Sequence, residues 1–203
     1  MITRRFALGL ALAPLMLAAT TVTAAEKLSL NAISKYLNEM QTAQSDFTQI
    51  NDDGTISTGT IYIKRPGRIR FEYKPPEKTL VLASANTVAV FDAKSNTGPE
   101  TYPLDKTPLS IILAKNVNLG QARMVVGHRF DGTATVVTAQ DPAHPEYGNI
   151  QLKFTDNPVQ LRQWVINDDS GSSTTVVLGD LTVGKALSNT IFNIQLATGQ
   201  GNR

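Results

Sequence analysis

Two histidines, His128 and His144, and two acidic turns, Asp52-Asp53-Gly54 and Asp168-Asp169-Ser170-Gly171, are where this chain comes nearest to covalent or metal chemistry. A zinc site or a catalytic triad would need each histidine to stand at motif spacing from a second ligand or an orienting carboxylate. Neither does. His144 lies in the turn-like run Asp141-Pro142-Ala143-His144-Pro145-Glu146 and His128 follows Gly127 beside a strand, so both read as surface or rim residues. A calcium site requires converging oxygen ligands and a glycosidase requires an opposed carboxylate pair. Adjacent carboxylates on a turn supply neither, and both acidic clusters fit hairpin loops. Gly-rich phosphate loops, a Gly-x-Ser-x-Gly elbow and a His-Glu-x-x-His helix are all missing from the sequence. The expectation is a protein with no catalytic residues, no metal and no cofactor; a hydrolase with an unrecognised site is the minor alternative.

The 203 residues are 41% hydrophobic and 18% charged, enough for one sizeable core without requiring two domains. Arg4 and Arg5 precede an apolar run from Phe6 to Ala19 and a small-residue stretch from Thr20 to Ala25. That pattern predicts a signal peptide over residues 1–25, cleaved to leave one domain over 26–203. Thr3-Arg4-Arg5 is compatible with either general secretory or twin-arginine export. With no cysteine, the exported chain has no disulfide, no thiolate nucleophile and no site for a lipid anchor of its own, and the periplasm is the expected address. The net charge of +2 includes Arg4 and Arg5, and no basic block exceeds two residues, which argues against nucleic acid as a partner.

Positioning elements follow from periodicity. Leu30, Ile33, Leu37 and Met40 recur at helical spacing behind the capping residue Ser29, predicting one amphipathic helix over 28–40. In Gly59–Tyr73 two alternating runs flank the corner Arg65-Pro66-Gly67. Ile69, Phe71 and Tyr73 point one way, and Arg68, Arg70 and Glu72 the other. Strands are expected near 44–51, 57–64, 68–74, 78–83, 87–92 and 99–104. A second set is expected near 121–129, 133–139, 148–155, 159–167, 173–183 and 190–196, with turn chemistry between them. The segment Thr107–Asn116 interrupts the rhythm as a short greasy helix, with Thr107 as cap and Pro108 at its first position. The tail from Ala197 is expected to fray. Eleven or so antiparallel strands in one sheet must curve strongly, so the fold class is mainly β with few helices. It is an unclosed, curved antiparallel barrel, covered by an N-terminal helix and a short lid helix.

The order of these features resembles the LolA-like family of periplasmic outer-membrane lipoprotein carriers. The residues that carry the resemblance are Ser45-Asp46-Phe47-Thr48-Gln49, the Gly59 strand running into Lys64-Arg65-Pro66-Gly67-Arg68, Val88–Asp92, and Thr107-Pro108 with its apolar helix. The resemblance implies a hydrophobic cavity that takes the acyl chains of lipoproteins released by an inner-membrane transporter. It also implies delivery to an outer-membrane receptor, by a monomer. It puts Ile69, Phe71, Tyr73, Leu82, Val90, Leu109, Ile112 and Leu113 on the cavity wall, and makes Arg65 the residue that gates the lid by bonding its backbone. A lipid- or lipoprotein-sensing module of the same architecture is the alternative. The sequence departs from the family pattern at the turn Ser84-Ala85-Asn86, where Ser-Asp-Gly is usual. It departs again at Ile69 and Phe71, where larger aromatics are common, and in lacking a Pro-Gly ending.

Overall fold

The structure is a computed structural model that describes residues 26–92, 94, 95, 97–121 and 123–200. The signal peptide expected over 1–25 lies outside the described residues. Ser29 caps the first helix, α1 (Leu30–Glu39), accepting from the Ala32 amide at 3.1 Å. Ile33 and Leu37 are its buried face.

Among the described residues twelve strands form one antiparallel sheet: β1 (Thr42–Ile50), β2 (Ile56–Lys64), β3 (Arg68–Tyr73), β4 (Leu80–Ser84), β5 (Thr87–Phe91), β6 (Glu100–Pro103), β7 (Val125–Phe130), β8 (Thr135–Ala139), β9 (Asn149–Thr155), β10 (Gln160–Asn167), β11 (Ser173–Leu178) and β12 (Thr182–Val183). Their spatial order is β6-β5-β4-β3-β2-β1-β11-β10-β9-β8-β7, with β12 beside β11 on the same edge of β1. The sheet is unclosed, and its two free edges, β6 and β7, are neighbours in sequence. The chain between them, residues 104–124, holds a 3-10 turn (Leu104–Lys106) and α2 (Leu109–Leu113).

One face of the sheet is dry from β4 across to β8, whereas the edge strand β6 is exposed throughout. Opposed residues in an antiparallel ladder share a face, so Ser45, Ile61, Phe71 and Val81 line up across β1 to β4, and Phe47, two residues on from Ser45, lies on the same face. Val176, Trp164, Leu152 and Val137 do the same across β11 to β8. Ile33 and Leu37 of α1 and Leu109, Ile111, Ile112 and Leu113 around α2 join these residues in one apolar core. Aromatic edges and faces knit it: Phe47 meets Phe71 at 5.4 Å and Tyr73 at 5.1 Å, both nearly perpendicular.

Five sequence expectations need correction. Residues 190–196 are not a strand but a 3-10 turn (Asn189–Phe192) followed by α3 (Ile194–Gln200). Both edges of β3 are already taken by β2 and β4, so this segment lies across the outer face instead of extending the ladder. Phe192 there is 1% exposed and Leu196 50%, which a common strand face would not give. The Asn193 side chain accepts from the Leu196 amide at 3.0 Å, a cap that also turns the expected frayed tail at 197–200 into helix. The single strand expected over 173–183 is divided at Gly179–Leu181 into β11 and β12, and β7 begins only at Val125. Finally, Thr107 does not cap α2; its hydroxyl donates to the Leu104 carbonyl, and Pro108 occupies the cap position.

Gly59 is the one backbone position that the packing of this face makes obligatory. A methyl group there would sit 2.3 Å from the Glu72 carbonyl oxygen and 2.6 Å from the Phe47 ring. Gly59→Ala is expected to destabilise the fold by ~1–3 kcal/mol, the usual cost of overpacking. Urea denaturation with an unchanged slope and a lower midpoint would show it.

Candidate functional site

The roof over the dry face is anchored at three points, all polar and all close to apolar surroundings. At its start, the Leu104 amide donates to the Asn86 carbonyl at 2.9 Å, and the Asn86 side chain both donates to Asp105 Oδ2 and accepts from the Asp105 amide. This uses the turn Ala85-Asn86, whose two residues have φ of 49° and 60°. Two left-handed residues between β4 and β5 make the tight hairpin that a Gly-containing turn would otherwise provide.

The second anchor is the corner Arg65-Pro66-Gly67. Helix α2 ends with unsatisfied carbonyls, as every helix does, and this corner supplies the donors. The Gly67 amide donates to the Leu113 carbonyl at 2.8 Å, and Arg65 Nη2 donates to the Ala114 carbonyl at 2.6 Å. Arg65 is 4% exposed and has no carboxylate partner among the described residues. Burial lowers its pKa from the ordinary guanidinium value, because the charged form is the one desolvated.

The third anchor comes from α1. Ser34 and Asn38 stand one turn apart beside the helix's apolar stripe. The Asn38 amide closes a two-way bond with Val117, donating to its carbonyl and accepting from its amide, each at 2.8 Å. Ser34 Oγ accepts from the Leu119 amide at 3.0 Å. Asn38 Oδ1 also accepts from Arg65 Nη2 at 3.3 Å, so the second and third anchors share an atom.

Where roof meets sheet, Ile69 of β3 and Ile112 of α2 are at most 1% exposed, Leu113 2%, and Phe71 and Leu109 7%. Tyr73 and Val90 are half-buried on the same face. Leu82 is misplaced by the sequence reading. It pairs with Arg70 and Ala89 and therefore points to the outer face, away from Ile69 and Phe71. There the 3-10 turn at Asn189–Phe192 and α3 cover β4. Burial alone could not reveal this, since both faces of β4 are covered. Asn38, Ser34 and Trp164 escape the sequence reading. Asn38 and Ser34 sit on a helix flank that looks solvated. The signal for Trp164 is its place as the chain's single tryptophan on an alternating strand. Beside the latch, between α2 and the β4–β5 turn, runs a groove of about 550 Å³ lined by Pro66, Arg68, Asn86, Leu104 and Leu113 among others.

The residues weighed for chemistry are spread apart. His128 faces the N-terminal segment, Nε2 lying 2.8 Å from the Leu28 carbonyl, and His144 is an exposed residue stacked on Tyr147. Asp53 and Asp168 accept from backbone and hydroxyl groups of their own turns. Among the described residues no three His, Asp or Glu side chains are grouped to hold a metal ion. No described helix is long and apolar enough to cross a membrane.

Residues 38–195 match the family described as outer membrane lipoprotein carrier protein LolA. The chain belongs to this family. An outer-membrane lipoprotein carrier protein of Coxiella burnetii is 24% identical over 176 residues, covering 82% of each chain. One of Azotobacter vinelandii is 21% identical over 183 residues, covering 86% of this chain and 87% of the relative. Among solved structures, a DUF1329 family protein from Desulfovibrio piger aligns with a TM-score of 0.50 at 12% identity, over 83% of this chain and 96% of that one. At that identity the likeness speaks to the fold alone.

Two measurements probe the roof of this LolA-family protein. Asn38→Ala removes both halves of the Val117 bond, and is expected to speed hydrogen exchange at the Val117 and Leu119 amides while lowering global stability by only ~1–2 kcal/mol. Unchanged exchange at those amides would mean that Asn38 holds nothing. The Tyr73 hydroxyl donates to Gln49 Oε1 at 2.6 Å, and burial pushes its pKa up to about 12. An unfolded tyrosine loses its proton near pH 10, so the folded state holds the proton longer and stability falls as pH rises from about 10 to 12. Alkaline unfolding curves of Tyr73→Phe should be flatter through that window by ~2 kcal/mol.

Proposed function

We propose that the protein is a periplasmic, non-enzymatic chaperone. In this reading it receives lipoproteins from an inner-membrane releasing transporter, shields their acyl chains under its roof and delivers them to an outer-membrane receptor. The observation that supports this best is the three-anchor roof over one continuous apolar interior, in a chain of the lipoprotein carrier family. Export by way of residues 1–25 and action as a monomer belong to the same proposal.

Physical need is clear on the cargo side. Each buried methylene contributes roughly 0.8 kcal/mol, so a lipoprotein with several acyl chains leaves a bilayer for water extremely slowly. A carrier must offset that cost without holding the cargo for good. Here the roof packs on the sheet, so entering acyl chains replace Leu109, Ile112 and Leu113 rather than fill an empty hole. One apolar contact is exchanged for another, which keeps net affinity moderate. Opening breaks the Arg65–Ala114 and Gly67–Leu113 bonds, and it returns a buried cation to water, which repays part of the loss. The groove beside Leu104 and Leu113 is the side from which a chain would enter.

Ile69, Phe71, Tyr73 and Val90 would form the wall against which acyl chains lie, and Arg65 the latch that senses them. The purified protein mixed with a triacylated lipoprotein should give a soluble one-to-one complex, and inner-membrane vesicles should release lipoprotein only when it is added. No complex in either assay would sink the carrier reading. Arg65→Leu should take up cargo yet hand it on about tenfold or more slowly, since a charge-assisted bond to a carbonyl is worth ~1.5–3 kcal/mol. Handover at the parent rate would leave Arg65 without a gating role.

A further inference from the structure

The buried side-chain polar atoms left without partners among the described residues are all of one kind. They are Arg65 Nε and Nη1, Arg68 Nε and Trp164 Nε1. Every one is a nitrogen that donates and cannot accept. Arg68 belongs to the outer face, opposite Ile69. Arg65 and Trp164 belong to the interior under the roof, with 4% and 0% of their surface exposed. Burying a donor unpaired is unfavourable by about the strength of the bond it lacks, and native proteins rarely leave one so without a reason.

Trp164 sits on the dry face of β10. Its ladder neighbours are Leu152 on β9 and Val176 on β11, and the ring of Phe71 approaches nearly perpendicular at 6.3 Å. Leu152 and Val176 carry no acceptor, and an aromatic ring is at most a weak one. A phenylalanine would keep an apolar ring at this position with no orphaned group, though a smaller one. The interior therefore has apolar bulk on every side and N–H donors waiting for oxygen.

We propose that this interior selects chains attached through ester groups, with Trp164 Nε1–H donating to the ester carbonyl oxygen of the bound acyl group. Pure hydrocarbon would satisfy the apolar wall and leave the donor unpaired. An acyl ester satisfies both, and brings no donor of its own to be stranded. Specificity of this kind comes from the penalty for leaving a buried polar group unmet, which apolar contact cannot provide. The inference rests on the acyl-binding reading above and adds a chemical class to it: acceptor-bearing, donor-free lipid.

The test is displacement of a fluorescent fatty-acid probe by ethyl decanoate and by tetradecane, from the parent protein and from Trp164→Phe. Comparing the two proteins with one ligand at a time cancels differences in aqueous solubility. The variant should bind the ester about fivefold to tenfold more weakly, as expected for one hydrogen bond, and the hydrocarbon within about twofold of the parent. Equal weakening for both ligands would make Trp164 a packing residue, and no weakening for either would leave its N–H idle; each overturns the inference while leaving acyl binding intact. Failure of both ligands to displace the probe from the parent would bring down the acyl-binding reading and this one together. Should the variant not fold, the parent alone decides. Emission of the single tryptophan should move to longer wavelength with ester and stay in place with hydrocarbon, and identical spectra would overturn the proposal.

Discussion

An unclosed sheet with one dry face must have that face covered, and in this protein the cover is the chain that joins the sheet's own two free edges. Residues 104–124 leave β6, cross the concave side and enter β7 at the opposite edge. The roof is therefore tethered at both ends by the topology and cannot be lost, only lifted. Helix α1 hangs from β1, near the middle of the strand order, and supplies the second half of the cover. Everything proposed for the protein depends on that arrangement, because a cover tethered at both ends can exchange places with a guest and return.

What keeps the roof down is a balance of opposite kinds of force. Its underside is apolar and would pack on almost any apolar surface, guest chains included, since hydrophobic contact is not directional. Its position is set by directional bonds: Asn86 at the start, Arg65 and Gly67 at the end of α2, Asn38 and Ser34 beyond it. Arg65 is the costliest of these, a cation buried with two of its nitrogens unpartnered. A latch built on a desolvated charge closes firmly in geometry but weakly in free energy, because the charge is better solvated when the latch is open.

The outer face tells a separate story. Lys64, Arg68 and Arg70 reach in turn to the Leu187 carbonyl, the Asn189 side chain and the Ile191 carbonyl, fastening the C-terminal segment over β2 to β4. Phe192 is buried there, over the strand whose outward residue is Leu82. This second, smaller apolar layer accounts for both the burial of Leu82 and the helical C-terminal segment. A covered outer face makes Leu82 as dry as a residue of the interior. A segment without a free strand edge beside it becomes helix even though Phe192, Ile194 and Leu196 alternate.

The sequence by itself determined the local structure wherever one periodicity ran long enough. Ser29 and its helix, the hairpin from Gly59 to Tyr73 and the succession of strands are written in spacing and turn residues, because side-chain direction in helix and strand follows the backbone repeat. It also carried the order of motifs that marks the LolA family, and it showed turn chemistry where acidic pairs might have suggested metal. Only the tertiary structure decided which apolar residues share an interior, since Leu82 and Ile69 carry the same hydrophobic signal and differ in nothing but the register of β4 against β3. It alone brought Asn38 to Val117 and Arg65 to Ala114, across 79 and 49 residues of chain. Such pairings depend on where the whole sheet curves, and no short stretch of sequence contains that information.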